Sequence, residues 1–165
     1  MQVDYIIVGL GLAGLAFAEE LERNNKSFVV FEDHSQNSSR VAGGVYNPVI
    51  LKRFTPVWDA FDQLAIAIPF YKNLEQKLNT QIDYPLDINR IFTSVEEQNN
   101  WFNACDKPFF NDYMIPKIIK NDNQSINAPF GLGSITNTGK LDTKALLDAY
   151  ISFLQNKKQL ISESC

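Results

Sequence analysis

The stretch that most constrains the fold runs from Val3 to Gly14. It is an apolar, β-branched segment that ends in Gly-x-Gly-x-x-Gly, and a helical pattern follows at once from Leu15. A strand, a tight glycine turn and a helix in this order predict the first βα unit of a dinucleotide-binding Rossmann domain. Each glycine has its own expected role: Gly9 makes the turn, Gly11 admits a pyrophosphate, and Gly14 permits close helix–strand packing.

An acidic residue follows at the spacing that a dinucleotide requires. A second strand is predicted at residues 27–31, and it ends on Glu32, 23 residues after Gly9. An acid about 20 residues beyond the glycines binds the ribose hydroxyls, while the unpaired N–H groups of the helix N-terminus bind phosphate oxygens. The alternative is a glycine-rich turn that binds nothing. The joint spacing of strand, helix and acid disfavours it.

Composition narrows the class of protein. The chain has 165 residues, 45% of them apolar and 12% aromatic, which suffices for a core in one domain or one and a part. A net charge of −4 argues against nucleic acid as the main partner. Cys105 and Cys165 form no paired motif, so a reducing, cytoplasmic location is expected. No signal peptide is predicted from the first residues, and no apolar run in these residues reaches the roughly 20 that span a bilayer.

A third motif follows the second strand. Residues 38–44 read Ser-Ser-Arg-Val-Ala-Gly-Gly, and the glycine pair beside a small residue lets the backbone pass close to a flat or bulky group. Taken alone, this segment is equally well explained as a flexible linker between two elements. No grouping of His, Cys, Asp and Glu has the spacing of metal ligands, so no metal site is predicted.

Together, Asp4–Gly14, Glu32 and residues 38–44 resemble the FAD-dependent oxidoreductases of the D-amino-acid oxidase and glycine oxidase type. Residues 139–150 resemble the helix by which that family returns to its nucleotide-binding sheet. The resemblance implies FAD as cofactor, with its pyrophosphate on the first motif, its ribose on the acid and its ring beside the third motif. The implied cofactor-binding residues are Gly9, Leu10, Gly11, Leu12, Ala13, Gly14, Glu32, Asp33, Ser39, Arg40, Val41, Ala42, Gly43 and Gly44.

The resemblance also predicts the architecture. We expect an α/β protein with a Rossmann-like FAD-binding domain (βαβ with Gly-x-Gly-x-x-Gly) and an inserted mixed α+β substrate domain, incomplete at the C-terminus. The expected domains are 1–80 and 139–165 for FAD binding and 81–138 for part of the substrate domain. Further helices are predicted at 56–79, 95–102 and 143–155. The first of these has Thr55 as its N-cap and a kink at Pro69. Further strands are predicted at 82–84, 89–93, 113–120, 126–136 and 159–161.

The implied activity is oxidation of an amino acid or a secondary amine by hydride transfer to flavin N5. No catalytic residue is identifiable: His34 is expected in a solvated loop, and Tyr46, Lys52 and Arg53 are better explained by packing and surface charge than by contact with a flavin or a substrate carboxylate. Other flavin enzymes (a hydroxylase, reductase or isomerase) and a non-catalytic nucleotide-binding module stay open.

Members of the family are considerably longer than this chain. Residues 1–165 are therefore expected to be the N-terminal part of a larger enzyme. On their own they should be inactive, should be poorly soluble or loosely folded, and should bind FAD weakly or not at all. No oligomeric state is indicated by the sequence.

Overall fold

The computed structural model describes residues 2–33 and 37–162. In chain order its elements are β1 (Tyr5–Val8), α1 (Leu12–Arg23), β2 (Phe28–Phe31), β3 (Val45–Tyr46), β4 (Val49–Ile50), β5 (Thr55–Pro56), α2 (Ala60–Leu78), β6 (Asp83–Pro85), β7 (Ile88–Ile91), α3 (Val95–Cys105), β8 (Leu132–Ile135), β9 (Gly139–Leu141), α4 (Thr143–Asn156) and β10 (Leu160–Ile161).

The chain divides into two compact units. One consists of Met1–Gly44, Tyr71–Ile82 and Leu141–Cys165, and the other of Val45–Phe70 and Asp83–Lys140. Both units therefore draw on separated parts of the chain. The assignment of an FAD-binding and a substrate domain, with boundaries at residues 80 and 138, stays a prediction.

The first unit contains the predicted βαβ arrangement. Its parallel sheet has the order β1-β2-β10, with Val8 opposite Phe31 and Leu160 opposite Val30. Parallel strands joined by a crossover helix bury one helix face on the sheet, and α1 buries Leu15, Ala18 and Leu21 at three-residue steps. The α/β fold class is confirmed, and β10 is the third strand of the nucleotide-binding type of sheet.

Two helices begin at the residues that their sequences predict. The Asp142 carboxylate accepts a hydrogen bond from the Ala145 N–H at 2.9 Å, which caps α4. The Ser94 hydroxyl accepts from the Glu97 N–H at 3.1 Å and caps α3. The Glu97 carboxylate accepts from the Thr93 N–H at 2.7 Å, so the reciprocal bond reaches one residue further back than a capping box predicts. The helix α3 also extends beyond Phe102, to Cys105.

The start of α2 corrects the sequence prediction. Thr55 and Pro56 form β5, in which Pro56 pairs with Val49, and the helix begins only at Ala60. The Val57 N–H donates to the Pro48 carbonyl at 2.8 Å, which closes the hairpin and holds this segment extended. At residues 55–57 the backbone hydrogen bonds of the hairpin therefore outweigh the helical spacing of the apolar side chains. The helix is continuous through Pro69, and the kink there stays a prediction.

The strands predicted at 113–120 and 126–136 are also shorter than expected. The first is reduced to two isolated bridges, Met114 to Ile135 and Ile119 to Leu132. Pro116 lies between them and has no N–H to donate to a ladder. The second contracts to β8, which pairs antiparallel with β7, because the chain turns at Gly131 with φ of +74°.

The core of the second unit is organised around Trp101. This side chain is fully buried, and its indole N–H donates to the Ile115 carbonyl at 2.9 Å. Phe54 and Phe92 meet the indole edge-on, with centroids 5.4 and 5.5 Å away. Edge-to-face pairs of this kind add to the burial of apolar area. They fix the β4–β5 turn, which carries Phe54, against α3.

Candidate dinucleotide site

The glycine turn lies at the carboxyl edge of the parallel sheet, where Rossmann folds bind their ligands. Gly9 has φ of +88°, a conformation that favours glycine, and its N–H donates to the Phe31 carbonyl at 2.8 Å. The next N–H, that of Leu10, donates to the Glu32 carboxylate, which is only 8% exposed. The predicted ribose acid is thus held directly against the glycine turn.

The N-terminus of α1 offers donors for an anion. Gly11 is the N-cap in an extended conformation and has no side chain to cap the helix. The Leu12 N–H has the Ser39 hydroxyl as an acceptor at 3.4 Å, a long contact. No acidic residue lies in the first turn, so no charge on this turn offsets the positive end of the helix dipole. These features suit a phosphate group.

The structure separates the roles of the glycines in the first motif. A Cβ at Gly14 would lie 2.2 Å from the Gly9 carbonyl oxygen, so this glycine is required for close packing of α1 on the turn. At Gly11 the nearest atom to a Cβ is the Ser39 hydroxyl oxygen at 3.1 Å, and at Gly9 no atom lies within 4 Å. Only Gly14 is therefore demanded by backbone packing within the protein itself.

Residues 40–44 are tied to β9 and to α4 and are not a loose linker. The Arg40 guanidinium forms an ion pair with Asp148 at 2.6 Å, and the Leu141 N–H donates to the Gly44 carbonyl at 2.9 Å. Between them, the Thr143 hydroxyl lies 3.5 Å from the Ala42 carbonyl. The hydrogen bond from Lys144, together with that from Arg40, holds the pKa of Asp148 below its usual value, although burial acts in the opposite direction.

The two glycines of this segment also differ. Gly44 has φ of +68°, and a Cβ there would lie 1.9 Å from the Leu141 carbonyl oxygen. A Cβ at Gly43 would have no atom within 4 Å, and the neighbouring Val41 is 79% exposed. Gly44 is explained by packing on β9, whereas the protein gives Gly43 and Val41 no packing role. An adjacent ligand would explain them.

Several other residues considered from the sequence lie elsewhere. Asp33 is exposed after β2, and His34 lies outside the described residues. The Tyr46 hydroxyl donates to the Asp83 carboxylate at 2.9 Å, within the second unit. Lys52 and Arg53 lie in the turn between β4 and β5. Sequence reasoning missed Asp148 and Thr143, because a helical Asp and Thr carry no signal for a partner about 100 residues away.

The described residues contain no evident nucleophile. Burial raises the pKa of the Cys105 thiol to about 11, with a smaller effect of Asp106, so this thiol is not activated. In residues 2–33 and 37–162 no group of three or more His, Cys, Asp and Glu side chains is placed to hold a metal ion. Within the same ranges, no helix has the length and apolar character needed to cross a bilayer.

Comparison with known proteins shows which folds this chain is similar to. Residues 7–74 match the family model for the NAD(P)-binding Rossmann-like domain. Among solved structures, an L-amino acid deaminase from Proteus vulgaris matches 96% of the chain with a TM-score of 0.67 at 16% identity. A glycine oxidase from Geobacillus kaustophilus matches 96% with a TM-score of 0.68 at 16% identity. An L-α-glycerophosphate oxidase from Mycoplasma pneumoniae, solved with FAD bound, matches 98% with a TM-score of 0.58 at 17% identity.

These matches confirm the predicted fold. The glycine oxidase and the amino acid deaminase share it across nearly the whole chain, as the resemblance implied. The chain spans 39% of the deaminase and 45% of each of the two oxidases, so it covers less than half of each matched protein.

Proposed function

We propose that this chain binds FAD at the carboxyl edge of the β1-β2-β10 sheet. The observation that carries the proposal is the contact between the Leu10 N–H and the Glu32 carboxylate, which joins the glycine turn to the ribose acid. The pyrophosphate would be bound by N–H groups of residues 11–14, and the ribose by Glu32 with Asp33 beside it. Residues 39–44 would run beside the pyrophosphate and the isoalloxazine ring.

The residues present fit such a group. Gly9 and Gly43 leave open space where other residues would place a Cβ, and Val41 is exposed next to Gly43. The ties of residues 40–44 to α4 hold the third motif in place before any ligand binds. Preorganised binding loops lose less conformational entropy when a ligand binds. The hydroxyl of Ser39, beside the Leu12 N–H, adds a polar group next to the phosphate position.

The expected dinucleotide is FAD and not NADP, although the matching family model carries NAD(P) in its name. A carboxylate at Glu32 accepts hydrogen bonds from ribose hydroxyls and repels a 2′-phosphate. Asp33 adds negative charge at the same point of the chain. The solved glycerophosphate oxidase with bound FAD supports the same choice.

For the complete protein we propose FAD-dependent oxidation of an amino acid or a secondary amine. The names of the matched deaminase and glycine oxidase support this substrate class. Bound FAD would supply the acceptor for a hydride from the carbon next to the substrate nitrogen. The residues described contribute binding and orientation of the cofactor. A cytoplasmic location belongs to the same proposal and is supported by the absence of paired cysteine motifs. The inactivity of residues 1–165 alone stays a prediction.

A different flavin enzyme is the second candidate, because the same three motifs serve several reactions. Reduction of the flavin by a primary or secondary amine would support amine oxidation. Reduction only by NADPH would support a hydroxylase or reductase. A protein that binds no flavin even at full length would support a non-catalytic nucleotide-binding module.

Glu32 provides the test of FAD binding. Glu32→Ala removes both the charge and the bond to Leu10, whereas Glu32→Gln keeps an oxygen that can accept from the Leu10 N–H. We expect both variants to bind FAD about tenfold more weakly, because a hydrogen bond to a charged group contributes about 1.5–3 kcal/mol. Flavin fluorescence anisotropy at high protein concentration measures the ratio of affinities even where binding is weak.

The matched control is Glu96→Gln, which removes an exposed charge on α3. It should leave FAD affinity unchanged. If Glu32→Gln folds normally and holds FAD as tightly as the parent protein, the assignment of Glu32 to the ribose is wrong.

A further inference from the structure

The second unit contains a cleft that the proposed dinucleotide site does not use. It lies between the β4–β5 turn and α3, and its volume is about 440 Å³. Pockets of a few hundred Å³ admit single small molecules. The lining residues are Lys52, Arg53, Phe54, Glu97, Asn100, Asn103, Ala104 and Lys107. We refer to this set as the cationic cleft.

The backbone on both sides of the cationic cleft is fixed. The Arg53 and Phe54 N–H groups donate to the Ile50 carbonyl at 3.0 and 2.9 Å, which closes the turn. Phe54 is buried edge-on against Trp101 and has φ of +49°. On the opposite side, Glu97, Asn100, Ala104 and Lys107 recur at helical spacing on α3 and its C-terminal end. Lys52 and Arg53 are therefore presented from a rigid turn.

The charges in the cationic cleft are unbalanced. Among the described residues, Lys52, Arg53 and Lys107 have no carboxylate partner, although the chain as a whole carries a net charge of −4. The acidic residue in the lining, Glu97, accepts from Arg90 at 2.9 Å and from the Thr93 N–H at 2.7 Å. The negative charge of Glu97 is therefore paired with Arg90 and not with Lys52, Arg53 or Lys107. Like charges gathered in one concave site repel each other unless an anion joins them.

We propose that the cationic cleft binds a small molecule that carries two or more negative charges. The Arg53 guanidinium has the planar fork that suits phosphate or carboxylate oxygens, and the two lysines add point charges. The amides of Asn100 and Asn103 supply further donors on the α3 side. A phosphate ester and a polycarboxylate share this chemistry. A nucleic acid would require a wide basic surface, which a chain of net charge −4 does not indicate.

The test is isothermal titration of the complete protein with inorganic pyrophosphate and, separately, with citrate. Arg53→Gln and Lys107→Gln should each weaken binding of the preferred probe about tenfold, because each removes a charge-assisted hydrogen bond. The charge-preserving Arg53→Lys should lose less. Binding should also weaken as salt concentration rises. The better probe of the two identifies the class: pyrophosphate for phosphate esters and citrate for polycarboxylates.

Two controls make the result specific. Lys117→Gln changes the same charge at an exposed position of the second unit outside the cationic cleft, and it should bind the probe like the parent. Gly11→Val obstructs the dinucleotide loop, and in this background the probe should still bind with an affinity that Arg53→Gln lowers, which separates this site from the pyrophosphate position of FAD. Circular dichroism verifies that each variant is folded.

The proposal is overturned if neither probe binds. It is equally overturned if Lys117→Gln weakens binding as much as Arg53→Gln does, since that outcome describes general surface charge. Loss of probe binding in Gly11→Val alone would also overturn it and would assign the probe to the dinucleotide loop. Because Gly11→Val removes the contribution of the dinucleotide loop, the comparison of Arg53→Gln and Lys117→Gln in that background tests the cationic cleft whether or not the chain binds FAD.

Discussion

At the scale of single residues, the three glycines of the first motif divide into one that backbone packing demands, Gly14, and two that it does not demand, Gly9 and Gly11. A Cβ at Gly14 meets a backbone carbonyl at 2.2 Å, which cannot move without shifting the β1–α1 turn. At Gly11 the obstacle is a serine hydroxyl at 3.1 Å, and φ is −81°, which any residue adopts. The same substitution therefore has different consequences three residues apart.

We predict that Gly14→Ala lowers the free energy of unfolding by about 1–3 kcal/mol, as overpacking does, whereas Gly11→Ala lowers it by less than about 1 kcal/mol. Gly11→Val should keep its secondary structure and lose FAD binding, because its side chain occupies the space for the pyrophosphate. Urea unfolding and flavin fluorescence measure the two effects. Normal flavin binding by Gly11→Val would show that this loop does not hold a phosphate.

At the scale of elements, α1, α2 and α4 are joined by a group of charged and aromatic side chains. The Lys77 ammonium bonds to Glu19 and, at 2.7 Å, to Glu22. It also lies 4.6 Å from the centroid of the Phe153 ring. Lys157 bonds to Glu22 and lies 4.6 Å from the same ring centroid. Burial alone would raise the pKa of Glu22, but the two ammonium groups together hold it below its ordinary value.

We predict that Lys77→Met lowers the free energy of unfolding by about 1–2 kcal/mol near pH 7, because partly buried ion pairs and a cation–π contact are lost. Since the pKa of Glu22 is lowered in the folded state, its contribution is present above the ordinary value of 4.5 and is lost as pH falls below it. Between about pH 5 and about pH 3, on either side of that ordinary pKa, the free energy of unfolding should therefore fall less for Lys77→Met than for the parent.

Lys72→Met is the matched control for this element. Lys72 is exposed on the same helix and has no ion pair among the residues described. The Lys72→Met variant should have the same free energy of unfolding as the parent at every pH. A Lys77→Met protein with the parent's stability and the parent's acid dependence would show that the charges contribute nothing to the junction of these helices.

At the scale of the whole molecule, β1 leaves apolar surface uncovered. In the described sheet β1 has β2 on one side only, and Ile6 and Val8 are 63% and 71% exposed. An unpaired strand edge with exposed apolar side chains favours association. We predict that the 165-residue chain forms oligomers that grow with concentration, and that Ile6→Thr with Val8→Thr reduces them.

Size-exclusion chromatography with light scattering, over a series of concentrations, measures this association. Ile66→Thr on α2 is the control, because Ile66 is 74% exposed but belongs to the second unit, outside the sheet that contains β1. If Ile66→Thr disperses the oligomers and the β1 variant does not, the uncovered strand is not their cause.

Local sequence signals were sufficient for the βαβ unit and its cofactor motifs. A β-branched run, three glycines and an acid at a fixed spacing specified β1, α1, β2 and the position of Glu32 at the sheet edge. The caps Ser94 and Asp142 were equally predictable, because each bonds to an N–H three residues away. The FAD assignment of these residues rests on the same motifs and awaits its test.

Contacts between distant segments could be read only from the folded chain. Thr55 and Pro56 have a helical neighbourhood in sequence but pair with Val49 and Ile50 in space. Arg40 pairs with Asp148, and Lys52 lines the same cleft as residues of α3, because distant segments fold onto one another. Local propensity cannot encode such contacts. They follow from the burial of apolar surface in cores such as the one around Trp101. The free energy of that burial depends on residues from many parts of the chain.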